Sequence, residues 1–256
     1  MSEAPEQTPD ASDKNPRDGM SLSEPMRRQE ILAALLTNGW FQDLPKPIME
    51  KMVSLAIQRR YADNETVHYK FDDPACLHGV ISGSAKVSSM SSDGRETTFT
   101  YYGPGSWFGQ IALLDGLSRT HDIRACGETV LVNILHRDFN ELLESNPILY
   151  KHFALLLCRL VRVSFSILED SALLSLQARF AKRLTALADT YGVPHAQGTM
   201  INLHLPQDDL GMLLNTSRQT INQKLKEWQK LGWVNLHYGK IIIRNPEALQ
   251  QLANEE

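Results

Sequence analysis

Residues 206–228 read PQDDLGMLLNTSRQTINQKLKEW. Leu210, Leu213 and Leu214 make one short apolar face, and Ile221, Leu225 and Trp228 make a second at spacings of 4 and 3, the period of a helix. Between them stands Asn215, a residue type that tolerates the left-handed backbone a tight turn needs. Thr216 or Ser217 then supplies a side-chain oxygen to cap the second helix. The pattern predicts two short helices joined at a sharp angle. The second helix turns Arg218, Gln219, Asn222, Gln223, Lys226 and Lys230 outward.

That outward face suits the major groove of double-stranded DNA. Arginine can bond guanine O6 and N7 together, and Gln or Asn can do the same to adenine N6 and N7. The hydroxyls of Thr216, Ser217 and Thr220 and the lysines suit phosphate contacts, which position without specifying. From Ser217 to Lys230 the chain carries four bases and one acid, so positive charge is local. Residues 233–244, WVNLHYGKIIIR, read as a hairpin turning at Gly239, a wing beside the second helix. The bland alternative is a solvated helical hairpin with no ligand.

Upstream the pattern changes. Short apolar runs from Val67 to Leu135 alternate with turn signals, among them Asp72-Asp73-Pro74, Gly103-Pro104-Gly105 and Asp115-Gly116. Asp93-Gly94 lies between the β-prone segments 85–90 and 97–102, a hairpin signal. Many short strands predict a compact antiparallel barrel or roll. Residues 27–60 read as helical on the faces Ile31, Leu32, Leu35, Leu36 and Ile48, Met52, Leu55, Ala56. After Asn146-Pro147 a long helix carries Leu149, Phe153, Leu156, Leu160, Val163 and Ile167 at spacings 4, 3, 4, 3, 4. This seam faces either a second copy of the chain or its own core. A second line, Leu157, Val161 and Leu168, can pack on the chain's own roll while the first faces another copy. A further helix, about 173–191, carries Leu176, Phe180, Leu184 and Leu187 and ends at Gly192-Val193-Pro194, ahead of two short helices and a strand pair.

The 256 residues suffice for one large domain or two modest ones, and 42% hydrophobic with 22% charged residues is a folded, soluble composition. Residues 1–25 hold six acids, two bases and almost no large apolar side chain, which predicts a disordered acidic tail. Its charge equals the net −4 of the whole chain, leaving the rest near neutral. Three scattered cysteines argue against a disulfide framework and lack metal-site spacing. No run has the length of a membrane span and no signal segment is evident, so a cytoplasmic location is expected. No nucleophile–base pair stands out, so no catalytic residue, metal site or covalent cofactor is expected.

A roll, a long helix and a winged helix-turn-helix in that order resemble the Crp/Fnr family of bacterial transcription regulators. The resemblance spans roughly 27–245. It is carried by Ile81–Val87 (ISGSAKV), Asp93–Glu96 (DGRE), Gly103–Gly109 (GPGSWFG), Ala112–Gly116 (ALLDG) and Ser217–Thr220 (SRQT). It implies an α+β fold: a disordered tail (1–25), a jelly-roll-like, cyclic nucleotide-binding-like effector domain (26–145), a dimerisation helix (146–171) and a winged helix-turn-helix DNA-binding domain (172–256). It further implies a homodimer through residues 149–167 on a palindromic DNA site, with half-sites about one turn apart. RNA polymerase is a partner the family allows; a membrane is not.

In cyclic nucleotide-binding members, FGQIALLDGLSRT (108–120) would be the phosphate cassette. Its roles would fall to Arg119 on the cyclic phosphate, with Thr120 and the Gly109 backbone beside it. The acid that usually holds the ribose hydroxyl is Gln110 here, whose amide accepts without charge assistance, a loss of about 1 kcal/mol or more. The two hydroxyls the long helix offers to the base become Ser164 and Phe165. Cyclic AMP is therefore the leading effector. Cyclic di-GMP, haem or no effector at all stand as alternatives, as does a ligand-binding module whose C-terminal domain binds protein. Residues 1–60 hold no cysteine, which argues against an iron–sulfur sensor. His68, His78, His121 and His152 are scattered candidates for haem iron, core or surface histidines being the commoner case. Base reading would fall to Arg218, Gln219 and Gln223. Gln219 replaces a common Glu and Gln223 a common Arg, which implies a half-site other than TGTGA.

Overall fold

A computed structural model describes residues 24–37, 39–237 and 239–254. The expected acidic tail lies outside the described residues up to position 23. The N-terminal part runs α1 (Glu24–Leu35), α2 (Gly39–Gln42), α3 (Lys46–Leu55), β1 (Ile57–Tyr61), β2 (Thr66–His68), β3 (Cys76–Met90), β4 (Glu96–Tyr102), β5 (Trp107–Phe108), α4 (Gln110–Asp115), β6 (Asp122–Leu135) and α5 (His136–Ser145). Then come α6 (Ile148–Leu173), α7 (Leu176–Tyr191), β7 (Gly192–His195), β8 (Gly198–Ile201), α8 (Gln207–Leu214), α9 (Arg218–Lys230), β9 (Val234–His237), β10 (Lys240–Ile243) and α10 (Pro246–Ala253).

The roll is antiparallel throughout the described residues. β6 pairs with β1, β2 and β3, and β3 also pairs with β4 and β5. Register shifts in β3 around Ser82 let this long strand bend and close the roll. Its interior holds Val80, Ala85, Val87, Phe108, Ile123, Ala125 and Leu131. A second cluster joins the N-terminal helices to α5 and the start of α6 through Trp40, Phe41, Trp107, Phe139 and Phe153. The Asp93-Gly94 turn forms as its residues dictate, with Gly94 at φ 82° and Ser91 N–H bonded to Arg95 O at 2.9 Å.

Two expectations are corrected. Residues 57–60 are strand, not helix: Ala56 leaves α3 in an extended conformation and β6 offers a ladder running Ile57↔Asn133 to Tyr61↔Thr129. The seam on α6 also shifts. Leu149 and Phe153 are buried in the chain's own core, whereas Val161 and Leu168, read as able to pack on the roll, are 52% and 65% exposed. The roll and α5 cover the first turns of α6; further along, Val163 of the first line is itself 51% exposed, and another exposed line runs through Ala154, Cys158, Val161, Phe165, Leu168 and Ala172. All six are exposed, at spacings 4, 3, 4, 3, 4.

In the C-terminal region β7, β8, β10 and β9 form one sheet in that order. The β7–β8 hairpin is additional to the strand pair read from sequence. No helix of the described residues is long and apolar enough to cross a membrane.

Candidate effector cassette and nucleic-acid interface

The C-terminal head is built on its turn. Asn215 takes φ 52° and ψ 50° after α8, and Ser217 Oγ accepts the Thr220 N–H at 3.1 Å to cap α9. Gly211 is a requirement that the apolar pattern did not reveal. A Cβ there would lie 2.8 Å from the Thr216 carbonyl oxygen, so only glycine lets the two helices approach so closely. Ile221, Leu225 and Trp228 are buried, and Trp228 packs on Phe180 of α7 with ring centroids 4.8 Å apart. Ser217, Arg218, Gln219, Gln223 and Lys226 are exposed; Thr216, Thr220 and Asn222 are half-buried. The Arg218 guanidinium pairs with Asp208 at 3.2 Å. β9 and β10 form the wing, paired from Lys240↔His237 to Ile243↔Val234.

The cassette is drawn inward. Gly109, at φ 94°, caps α4, and a Cβ on it would sit 2.6 Å from Arg119 Nη1. Arg119 is only 3% exposed and donates from Nη1 to Gly109 O at 2.9 Å and from Nη2 to Cys76 O at 2.6 Å. Gln110, the first residue of α4, is 2% exposed. Gln110 Oε1 and Arg119 Nε are both buried without a hydrogen-bond partner. Gly109, Gln110 and Arg119 are thus brought together. Thr120 diverges from them and is exposed, and the Ser164 hydroxyl is returned to its own helix, donating to Leu160 O at 2.9 Å.

Two histidines that looked scattered in sequence meet here, because β2 and β3 both lie against β6. The His68 and His78 rings are 5.4 Å apart, and His78 stacks on Phe108 at 4.8 Å, which in turn stacks on Tyr102 at 5.2 Å. His78 Nδ1 shares a 2.9 Å hydrogen bond with Asn133 Oδ1. Burial, and then the neighbouring positive charge of Arg119, holds His78 down at about 3. Burial first and His78 next hold His68 at about 2. Burial pushes the Cys76 thiol beside them up to about 11. The interior is therefore neutral at physiological pH except for the Arg119 guanidinium.

A stability prediction follows from His78. Above pH ~6.5 the ring is neutral in both folded and unfolded chains, so it costs nothing. Below that the unfolded chain takes up a proton and the folded chain does not, until about pH 3. Between pH 7.5 and 5.5 this one group should remove about 1.4 kcal/mol of stability. Urea unfolding of wild type and His78→Gln at the two pH values checks it; equal pH dependences would show that the ring is not held neutral.

An antiparallel roll with an inward arginine cassette, a long helix and a capped helix-turn-helix with a wing together define a ligand-linked DNA-binding regulator. Residues 58–146 match the family model for a cyclic nucleotide-binding domain and residues 178–252 that for a Crp-like helix-turn-helix domain, together more than half of the chain. The chain belongs to the Crp/Fnr family of transcription regulators. It is 27% identical over 177 residues to the CRP-like cAMP-activated global transcriptional regulator of Mycobacterium tuberculosis, covering 69% of this chain and 79% of that one. Its fold is shared with FixK2 from Bradyrhizobium japonicum (TM-score 0.67, 20% identity, 78% of this chain and 98% of that). It is also shared with the c-di-GMP responsive global regulator CLP of Xanthomonas campestris (TM-score 0.62, 24% identity, 78% and 99%).

Proposed function

We propose that this chain is a homodimeric, sequence-specific DNA-binding regulator whose roll responds to cyclic AMP. The observation that carries the effector reading is the pair of orphaned atoms in the cassette. A buried acceptor, Gln110 Oε1, and a buried donor, Arg119 Nε, lack partners, and a ligand bearing a hydroxyl beside an anionic oxygen satisfies both. To reach a phosphate, the Arg119 guanidinium must turn from the Gly109 and Cys76 carbonyls it now serves. On the DNA side, Arg218, Gln219, Asn222 and Gln223 read bases. Thr216, Ser217, Thr220 and Lys226 hold phosphates, with binding that weakens as salt rises. Cyclic di-GMP is the second reading, favoured by one observation: Gln110 is uncharged where an acid would repel a second phosphate.

Selection of duplexes from a random pool, with and without cyclic AMP, followed by calorimetric titration of each nucleotide, tests the reading. Effector-dependent recovery of a palindrome supports it. No recovered duplex at low salt, with either nucleotide, would leave the C-terminal head a protein-binding module.

The dimer has its own test. In a parallel two-fold pair each stripe residue of α6 meets its own counterpart, which brings the two copies of the exposed Cys158 within disulfide reach. Mild oxidation should yield a covalent dimer in high yield, lost in Cys158→Ser. Phe165→Glu should shift the native protein to monomer in sedimentation. An uncrosslinked wild type would place the interface elsewhere.

A further inference from the structure

We propose that Lys86, Glu96 and Asp209 form a latch that holds the helix-turn-helix against the roll, and that its release frees the N-terminal end of the DNA-reading helix from the β3–β4 hairpin. The inference rests on the DNA-binding reading above. Lys86, on β3, places its ammonium 3.2 Å from Asp209 Oδ1 on α8 and 3.3 Å from Glu96 Oε1 on β4. The three side chains are largely buried, at 9%, 11% and 20% exposure for Lys86, Asp209 and Glu96. Such buried ions add little net stability over apolar packing, because desolvation offsets their attraction; what they confer is a fixed geometry. One ammonium shared by two carboxylates is also easily unbalanced.

The latch does not act alone. Tyr191 at the end of α7 donates from its hydroxyl to Tyr101 O at 3.1 Å, and Arg183 Nη2 donates to Phe99 O at 2.6 Å, both on β4. Cys126 Sγ on β6 donates to His204 O at 3.3 Å. These contacts dock the C-terminal domain so that Thr216 and Arg218 look across a cleft of about 880 Å³ at Lys70, Ser91 and Arg95. A cleft of that volume admits no duplex, and the β3–β4 hairpin forms its far wall, opposite the start of the reading helix. In the docked pose Thr216 and Arg218 face the chain's own hairpin, whereas Gln219, Gln223 and Lys226 stay exposed.

The same two strands connect the latch to the cassette. Side chains alternate between faces of a strand. Val87 and Tyr102 therefore point into the roll, against Phe108, while their neighbours Lys86 and Tyr101 point outward to the C-terminal domain. Phe108 precedes Gly109 directly. A ligand that re-aims Arg119 and disturbs the Tyr102–Phe108–His78 stack moves the strands that carry the latch, with one residue between cause and effect.

The test uses the full chain in two near-isosteric variants, Lys86→Met and Asp209→Asn. Hydrogen exchange reads the latch without DNA. Exchange should quicken in α8 and β4 in both variants while residues 221–228 of α9 stay protected, which shows that the domain remains folded. Affinity of the nucleotide-free variants for the selected duplex should rise at least tenfold over nucleotide-free wild type. Unchanged exchange in α8 and β4 overturns the latch. Quickened exchange without tighter DNA binding overturns its role as a gate. A wild type that binds no duplex in any nucleotide state fails the DNA reading instead, a result the exchange data distinguish from failure of the latch.

Discussion

Trp228→Ala is expected to cost the C-terminal domain about 3–5 kcal/mol and to abolish DNA binding at physiological temperature. Trp228 is completely buried and is the centre of a core that includes Phe180, Leu184, Leu210, Ile221, Leu225 and Ile243. Its ring touches Phe180 from α7 at 4.8 Å and Trp233 from the wing approach at 6.4 Å, so it joins the recognition helix to both neighbours. Removing it opens a cavity that three elements would have to collapse into. The Trp228 Nε1 has no hydrogen-bond partner in this core. Trp228→Phe therefore removes an unsatisfied donor as well as volume, and should cost less than half as much. Hydrogen exchange of α9 against denaturant separates this domain from the roll, which a single global transition would not. A loss below about 1 kcal/mol for the alanine variant would show that the ring packs loosely.

The head was legible because its instructions are local. Asn215, Ser217 and the Ile221–Leu225–Trp228 spacing act over a few residues, and each does what its chemistry allows. Gly211 escaped notice because its reason is a contact with Thr216 O, which no periodicity announces. The roll was legible in kind from its turn signals. Its strand pairing was not, since β1 became a strand only by finding β6. The α6 seam shows the limit most plainly. Heptad spacing proposes a buried stripe, but two stripes offset by five residues fit almost equally well, and the surrounding roll decides which residues are covered. The His68–His78 pair and the Lys86–Asp209 bridge join positions distant in sequence, so each residue read alone looked like an ordinary core or surface side chain.

Arg119→Ala is the variant that separates a working cassette from a structural strut. A guanidinium that holds a cyclic phosphate by two charge-assisted bonds contributes about 3 kcal/mol or more, so cyclic AMP affinity should fall at least about 100-fold. The same side chain ties the Gly109 turn to the start of β3 through two carbonyls, and its loss removes both of these partly buried bonds. Destabilisation of about 2–4 kcal/mol should accompany the affinity loss. Arg119→Lys keeps the charge but lacks the planar fork, and should recover part of the stability and little of the affinity. Gln110→Glu resolves the ligand. A carboxylate accepts a ribose hydroxyl with charge assistance, so cyclic AMP should bind about tenfold tighter, while a cyclic dinucleotide, with a second phosphate to place nearby, should bind more weakly. If wild type and Arg119→Ala titrate identically with cyclic AMP, the cassette is not the binding site. The arginine is then what its two carbonyl bonds already make it, the strut that closes the roll.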